Sequence, residues 1–286
     1  MAKVKIICDS AADIPRADAE KLNIRVLPLW FTFDGENYLR DGVDMSNREF
    51  FDKMRAEKIV PKTSQITADE WEKAIREEMD SYDSVVCFTM SSAASGTCQS
   101  ANIAKNEILS VEPDRDITVI DSMMLSFPYG LAVMFAAEKA LLGEDRDAVI
   151  AEFKRVSEKV EFFFLVEDLT YLKKGGRINL ATLTIANIMD IKPVLTVRDG
   201  LVVSCDKIRG GKKLYDKFMQ MYKDKGHILT GKDIYIDHSL TDEKLAEFTA
   251  AAERAFEPSS VKTAELGATI GSHAGPGLSA VMYIKD

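Results

Sequence analysis

The sequence lacks the short motifs that mark the common enzyme classes. It has no GxSxG nucleophile elbow, no HExxH zinc-binding helix and no GxxxxGK[ST] phosphate loop, and no GxGxxG follows its first apolar segment. The three histidines, at positions 227, 238 and 273, share no ligand spacing, which argues against a structural zinc site. We therefore predict no metal and no cofactor.

Long apolar runs and paired cysteines are also missing. No segment reaches the roughly 20 apolar residues that a membrane span needs, since the longest candidate, 125–142, contains Pro128, Glu138 and Lys139. The amino terminus runs straight into a strand-like segment without an apolar targeting region. The four cysteines have no CxxC spacing, which is typical of reduced thiols. We expect a cytoplasmic protein with no stable membrane insertion.

Positive charge is scarce relative to negative charge. Lys and Arg total 37 against 46 Asp and Glu, a formal net charge of -9. An acidic surface repels phosphate backbones, so we do not expect nucleic acid as a partner. A small anionic ligand responds to local donors and is not excluded.

The first half of the chain alternates short apolar strands with helices. The expected strands are 4–8, 24–33, 84–89 and 117–120, and the expected helices include 15–22, 68–79 and 99–110. Nearly continuous apolar strands separated by helices indicate a covered, mostly parallel sheet. We predict an α/β domain over residues 1–158.

The pattern changes near residue 161. Strands are predicted at 162–166, 192–197, 201–208, 233–238 and 280–285, with a helix at 241–256. Arg198-Asp199-Gly200 is a turn of the kind that closes a hairpin. We predict an α+β domain over residues 159–286. No Pro/Gly/Ser-rich linker separates the halves, so we expect them to contact each other across a ligand-binding cleft.

Two hydroxyl-rich segments precede expected helices. Ser91–Thr97 follows a strand and opens a helix, where backbone N–H groups attract anions, although N-capping explains these residues at least as well. Pro61–Gln65 precedes the helix 68–79, where Thr67 and Glu70 resemble a capping box. Together the two segments favour a shared anion site more than either does alone.

Four further clusters along the chain contain side chains of chemical interest. Gly271–Gly277 reads as a glycine-dense loop that brings His273 and nearby backbone close to a ligand. The basic clusters at 173–177 and 207–213 are either solvated charge or a docking face for an acidic partner or a phosphate. Asp9, Asp13, Asp41 and Asp44 fit no calcium loop, and turn or cap roles suit them better.

In order along the chain, these segments resemble the DegV family of fatty-acid-binding proteins. The matching stretches are Asp9-Ser10 with Asp13-Ile14-Pro15, residues 61–65, residues 91–97 with 99–101, Asp121-Ser122, residues 171–178, Lys192-Pro193 and residues 271–277. The match spans the whole chain, and it is the resemblance that supplies the ligand.

The resemblance implies a non-catalytic protein with an acyl chain buried between two domains. Thr63 and Ser95 would bind the carboxylate and His273 would lie near it, while Ser64, Gly96, Thr97 and Gly275 would support them. A separate ATP-dependent fatty acid kinase would convert the bound lipid to an acyl phosphate for phospholipid synthesis. Arg177 and Arg209 would face that kinase.

The sequence departs from the family pattern at two places. Cys98 stands where an aromatic residue is common, and Phe127-Pro128-Tyr129 replaces a smaller stretch that contains glycine. If the apolar face of 131–142 lines the tunnel, these bulky residues alter the preference for chain length or unsaturation.

Two other functions were considered. One is a stand-alone acyl hydrolase or transferase with His273 as general base beside Ser95. The other is a regulatory protein whose bound lipid is a signal and which binds nucleic acid or another protein. The missing nucleophile elbow disfavours the first, and the acidic charge disfavours the second.

Overall fold

A four-stranded parallel sheet organises the first half of the chain in the computed structural model, which describes residues 3–179, 181 and 191–286. Its strand order is β2-β1-β6-β7. The strands are β1 (Val4–Asp9), β2 (Ile24–Leu27), β6 (Ser84–Thr89) and β7 (Ile117–Asp121). β1 and β6 are buried along their whole length, as expected for apolar strands covered on both faces.

Among the described residues, the first half of the chain also contains six α-helices. They are α1 (Arg16–Lys21), α2 (Asn47–Glu57), α3 (Ala68–Met79), α4 (Thr97–Val111), α5 (Phe127–Leu141) and α6 (Arg146–Lys159). The predicted capping box at the start of α3 is confirmed: the Thr67 side chain accepts from the Glu70 N–H and Glu70 accepts from the Thr67 N–H.

The chain between β2 and α3 forms a small antiparallel sheet. Its order is β4-β3-β5, formed by β3 (Trp30–Thr32), β4 (Leu39–Arg40) and β5 (Lys62–Ser64). The prediction of one strand over 24–33 was wrong. Pro28 follows the end of β2, and because proline has no N–H to donate to a sheet, the chain leaves the parallel sheet there and β3 pairs elsewhere.

A mixed six-stranded sheet forms the second half, in the order β10-β9-β8-β13-β11-β12. Its strands are β8 (Val160–Leu165), β9 (Ile191–Arg198), β10 (Leu201–Arg209), β11 (Asp233–His238), β12 (Ser260–Glu265) and β13 (Ser279–Ile284). The β9–β10 hairpin around Asp199-Gly200 is confirmed. The accompanying helices are α7 (Leu169–Gly175), α8 (Leu214–Asp224), α9 (Asp242–Phe256) and α10 (Ala268–Ala274).

The two faces of the six-stranded sheet pack against different partners. On β8, Phe162 and Phe164 belong to the core shared with the first half of the chain. Phe163 and Leu165 belong to a second core with α8 and α9. This alternation follows from the period of two in a strand. The sheet is therefore covered by its own helices on one side and by the first half on the other.

The predicted fold class is confirmed, with a parallel α/β half followed by an α+β half. The chain enters the six-stranded sheet at Val160, directly after α6. In the described part of the chain, no helix is both long enough and apolar enough to span a bilayer.

Candidate functional site

A cavity of about 350 Å³ lies between the six-stranded sheet and the first half of the chain. Most of its lining is apolar. The apolar side chains are Leu29, Met90, Ala94, Leu125, Pro128, Phe162, Phe164, Leu172, Val197, Val202, Ile270, Ala274, Leu278 and Ala280. Such a space suits a long hydrocarbon chain, because burial removes apolar surface from water.

Thr63 and His273 meet at the cavity wall. Thr63 Oγ1 lies 2.8 Å from His273 Nε2, which makes a hydrogen bond between residues that are 210 positions apart in sequence. Thr63 is in the middle of β5, opposite Phe31, and does not lie at a helix start. The interpretation that the Pro61–Gln65 segment places its hydroxyls at a helix start is therefore wrong for Thr63.

His273 lies within helix α10, not in a loop. The glycines around it have packing roles: a side chain at Gly271 would collide with the rings of Phe50 and Phe51, and Gly275 ends the helix with a φ of +77°. Glycine density therefore marked a closely packed short helix, and the predicted loop was wrong.

The His273 ring is neutral at pH 7. Burial, followed by the charge of Arg177, lowers the pKa of His273 to about 4. The backbone of Gly175 contacts the His273 ring and raises its pKa by a smaller amount than burial lowers it. A neutral ring offers one N–H donor and one acceptor nitrogen, so His273 orients a polar group without adding a charge.

Ser64, Ser95, Gly96 and Gln65 line the cavity with Thr63 and His273. Ser95 Oγ accepts from the Thr97 N–H at 3.3 Å, so it partly caps α4, and its own O–H stays available for a ligand oxygen. A side chain at Gly96 would collide with the Gln65 carboxamide. The segment before α4 therefore lies tightly against the end of β5.

Arg177 is the only described lining residue of the cavity that carries a permanent positive charge. Its Nε donates to the Ala94 carbonyl at 3.0 Å and its Nη1 to the Gly175 carbonyl at 2.6 Å. These bonds hold a half-buried guanidinium near Ser95. Arg177 therefore forms part of the cavity wall. Its expected contact with a partner protein stays a prediction.

Three of the remaining predicted residues lie outside this lining. Thr97 is buried, where its Oγ1 accepts from Trp71 Nε1 at 3.3 Å. Gly275 lies against the Tyr171 ring. Arg209 is exposed at the end of β10. The structure therefore brings Thr63, Ser64, Ser95, Gly96 and His273 together.

A second polar cluster borders the cavity, and the sequence did not predict it as a site. Ser126 Oγ lies 2.5 Å from Asp13 Oδ2 and 2.7 Å from Asp237 Oδ2, and Ser126 and Asp237 both line the cavity. A hydroxyl has one hydrogen, so at least one of these carboxyls is protonated to complete both bonds. Burial raises the pKa of Asp237 to about 7, and burial together with the Asp237 charge raises that of Asp13 well above its usual range.

Asp41 extends this cluster to the start of α10. It accepts from the Ala268 N–H at 2.7 Å and the Thr269 N–H at 3.2 Å, and from Ser10 Oγ at 2.9 Å. The expected cap role of this aspartate is confirmed. We call Asp13, Asp41, Ser126 and Asp237 the carboxyl cluster. Sequence analysis singled out Asp13 and Asp41 with turn or cap roles, and it did not single out Ser126 or Asp237.

The described residues contain no group of three or more His, Cys, Asp or Glu arranged to hold a metal ion. His273 bonds to Thr63, and no described hydrogen bond joins it to Ser95. A Ser95–His273 nucleophile and base pair therefore has no support from this geometry.

The departures from the family pattern lie at and near the cavity. Pro128, at the start of α5, is part of the wall, while Phe127 is buried next to Tyr235 with ring centroids 6.1 Å apart. Farther along, α5 packs against α6, and Leu141 and Leu142 are exposed. The expectation that the 131–142 face lines the tunnel is corrected: among described α5 residues, the wall contains Pro128.

Comparison with known proteins gives one family over almost the whole chain. The family described as "Uncharacterised protein, DegV family" matches residues 3–286. A DegV domain-containing protein of Caldanaerobacter subterraneus is 31% identical over 283 residues, covering 99% of each chain. Another, from Clostridium perfringens, is 31% identical over 289 residues, covering 100% of this chain and 99% of the relative.

Solved structures of similar proteins have the same fold and include fatty-acid-binding proteins. A DegV family protein from Thermus thermophilus, described by its fatty acid binding, superposes with a TM-score of 0.86 at 29% identity, covering 99% of each chain. A stearic acid-binding protein from Eubacterium ventriosum has a TM-score of 0.87 at 28% identity, covering 100% of this chain and 98% of the other. Fatty-acid binding is thus a property of several similar proteins.

Proposed function

Because the chain belongs to the DegV family, we propose that it binds a long-chain fatty acid in the cavity between its two halves. The main support for this proposal is that apolar walls, the Thr63–His273 hydrogen bond, Ser95 and Arg177 occur in one cavity.

Burial of the acyl chain supplies the driving force. Each buried CH₂ contributes about 0.8 kcal/mol, so a long chain gains on the order of 10 kcal/mol before the costs of association. The Phe162, Phe164, Val197 and Val202 side chains offer the apolar surface that this gain requires.

The carboxylate needs donors once it leaves water. Thr63 and Ser95 provide hydroxyls, neutral His273 provides an N–H in one tautomer, and Arg177 provides charge at the same wall. We propose that these four residues, called the head-group cluster below, hold the carboxylate, with Ser64 and Gly96 shaping the wall.

We further propose that the protein presents this carboxylate to a separate ATP-dependent fatty acid kinase in the cytoplasm. Phosphoryl transfer needs positioned phosphates and charge stabilisation, usually with Mg²⁺, and the sequence has no P-loop that would supply the phosphate site. The product would be an acyl phosphate used in phospholipid synthesis. Arg177 and Arg209 are the proposed partner-facing residues.

Extraction of the purified protein under denaturing conditions, followed by mass spectrometry, tests the ligand. We expect a co-purified long-chain fatty acid, or stoichiometric uptake of hexadecanoic acid by delipidated protein. Delipidated protein that takes up no fatty acid with 14 to 20 carbons would refute the proposal.

A hydroxylamine trap tests the kinase step. Lipid-loaded protein, Mg²⁺-ATP and a DegV-associated fatty acid kinase should yield acyl hydroxamate, whereas protein without kinase should yield none. Turnover by this protein alone would instead favour a stand-alone enzyme.

A further inference from the structure

Helix α10 belongs to the second half of the chain in sequence, but the first half binds its first turn. The Ala268 N–H donates to Asp41 Oδ1 at 2.7 Å, and the Thr269 N–H donates to Asp41 Oδ2 at 3.2 Å. Burial raises the pKa of Asp41, and a side-chain hydrogen bond with Thr269 opposes that rise. Asp41 is 3% exposed, so water does not readily replace these bonds when they are lost.

The Asp41 side chain is itself fixed within the first half. Its own N–H donates to the Leu29 carbonyl at 2.9 Å. Ser10 Oγ donates to Asp41 Oδ2 at 2.9 Å and accepts from the Leu29 N–H at 3.0 Å. Asp41 is therefore a fixed point to which the start of α10 is hydrogen-bonded.

The small sheet β4-β3-β5 connects Asp41 with Thr63. Asp41 directly follows β4 at one edge, and Thr63 lies in β5 at the other edge. Two strand spacings separate these edges by about 10 Å, and the five residues from Ala268 to His273 rise by about 7.5 Å along a helix. Helix α10 contacts both β3 and β5. The helix therefore crosses the small sheet, with Asp41 at its start and Thr63 near its end.

The middle of α10 also packs closely on the first half. Gly271 lies directly against the rings of Phe50 and Phe51, with no room for a side chain. Backbone hydrogen bonds make such a short helix stiff, so a displacement of its first turn moves His273 as well. The 2.8 Å distance between His273 Nε2 and Thr63 Oγ1 therefore depends on the hydrogen bonds at Asp41.

We propose that Asp41 is a positioning residue for the carboxylate site and acts through α10 to hold the His273 ring within hydrogen-bond distance of Thr63. This inference rests on the proposed fatty-acid binding and adds to it a residue outside the cavity lining. Asp41 does not touch the ligand in this arrangement. It determines instead where one of the ligand's hydrogen-bond partners lies.

The variant Asp41→Asn tests the inference with little change of shape. An amide nitrogen cannot accept a hydrogen bond, so the N–H of Ala268 or that of Thr269 would face another donor. We expect the affinity of the delipidated protein for hexadecanoic acid to fall about 3- to 10-fold, the effect of one weakened hydrogen bond. In NMR spectra of the ligand-free protein, the His273 ring signals should shift.

Two further variants control this test. Asp145 is exposed at the start of α6 and accepts from the Ala148 N–H at 2.9 Å, so Asp145→Asn makes the same substitution at a helix start outside the cavity lining. It should change neither the affinity nor the His273 signals. Thermal melting shows whether each variant is folded. If Asp41→Asn does not fold, Ser10→Ala removes one partner of Asp41 and should shift the same signals by a smaller amount.

A double-mutant cycle separates positioning from a general structural role. If Asp41 acts through His273, Asp41→Asn should weaken binding less than twofold in a His273→Ala background. An equal loss in both backgrounds would mean that the substitution loosens the whole cavity, and it would overturn the inference. Unmoved His273 signals in Asp41→Asn would overturn it as well.

The NMR measurement also keeps this inference separate from the proposed function. If the wild-type protein takes up no fatty acid, the proposed function fails. The His273 signals of the ligand-free Asp41→Asn variant then still decide whether Asp41 positions the ring: a shift supports the inference, and unchanged signals contradict it.

Discussion

The two polar clusters that border the cavity differ in charge, and the proposed position of the carboxylate rests on that difference. The head-group cluster has a permanent cation, Arg177, and a His273 ring kept neutral by burial. The carboxyl cluster has three buried aspartates and no salt bridge to any described Lys or Arg. Placing a carboxylate beside the carboxyl cluster would add a like charge in a low-dielectric setting.

The two clusters also share one feature of their construction. Both clusters lie where the two halves of the chain meet: Thr63 faces His273, and Asp13 is joined through Ser126 to Asp237. Each half contributes to each cluster. In the proposed function, residues from both halves therefore set the orientation of the ligand. The predictions below test this arrangement, beginning with the variant that should weaken binding most.

Removing the cation should have the largest effect on affinity. In Arg177→Met the apolar stem remains while the charge that faces the carboxylate is lost, so we expect fatty-acid binding to weaken by about 2–4 kcal/mol. Titration calorimetry with hexadecanoic acid measures this change. The affinity of Arg177→Lys should lie between those of the wild type and Arg177→Met, because lysine keeps the charge but not the forked donor geometry. Wild-type affinity in Arg177→Met would place the carboxylate elsewhere.

Removing one hydroxyl of the head-group cluster should have an intermediate effect. Thr63→Val or Ser95→Ala deletes one donor to a desolvated carboxylate, and each should cost about 1–3 kcal/mol of binding. The same titration measures it, with Thr118→Val, on β7 and away from the cavity, as a control. An unchanged affinity in the double variant would show that these hydroxyls do not touch the head group.

Moving the His273 ring by a substitution at a neighbouring residue should weaken fatty-acid binding less than the variants above. A side chain at Gly175 would collide with His273 Nδ1, so Gly175→Ala should shift the ring away from Thr63. We expect binding to weaken by about 1 kcal/mol, the typical net value of one hydrogen bond. The His273 ring signals in NMR report the shift, and an unmoved ring with unchanged affinity would contradict this account.

Variants of Asp13 and Asp237 in the carboxyl cluster should change how the free energy of unfolding depends on pH, and should leave the affinity for the carboxylate head group unchanged. The pKa of Asp237 is raised from about 3.8 to about 7, so the folded state favours its protonated form. Its contribution to the free energy of unfolding is present below about pH 4 and is lost as the pH rises through about 7. Asp237→Asn does not titrate and should flatten the decline in stability between these pH values.

Urea unfolding of the ligand-free protein at several pH values measures this effect. Asp13 shares the hydrogen bonds of Ser126, so Asp13→Asn should flatten the same interval. Identical pH profiles in wild type and in both variants would mean that the cluster does not titrate as a unit.

The sequence predicted the local features of the fold well, because these depend on neighbouring residues. Helix α3 has the predicted bounds, since the Thr67–Glu70 capping box marks its start. The β9–β10 hairpin follows from Asp199-Gly200. In contrast, β5 forms by pairing with β3, including Thr63 with Phe31, and no local pattern discloses that pairing.

The candidate site depended on distant contacts in a similar way. The hydroxyl and histidine residues were found from motifs and from the family resemblance, but their bond joins residues on β5 and α10. The cavity-wall position of Arg177 depends on the Ala94 carbonyl. Asp237 was missed because nothing in its own strand shows that Ser126 lies opposite.

A crystal structure with hexadecanoic acid brominated on its last carbon tests the central claim most directly. We predict that the carboxylate lies within hydrogen-bond distance of Thr63 and Ser95, and that the anomalous bromine peak lies in the apolar part of the cavity, away from His273. A bromine peak beside Thr63 and His273, with the carboxylate near Asp237, would contradict the account.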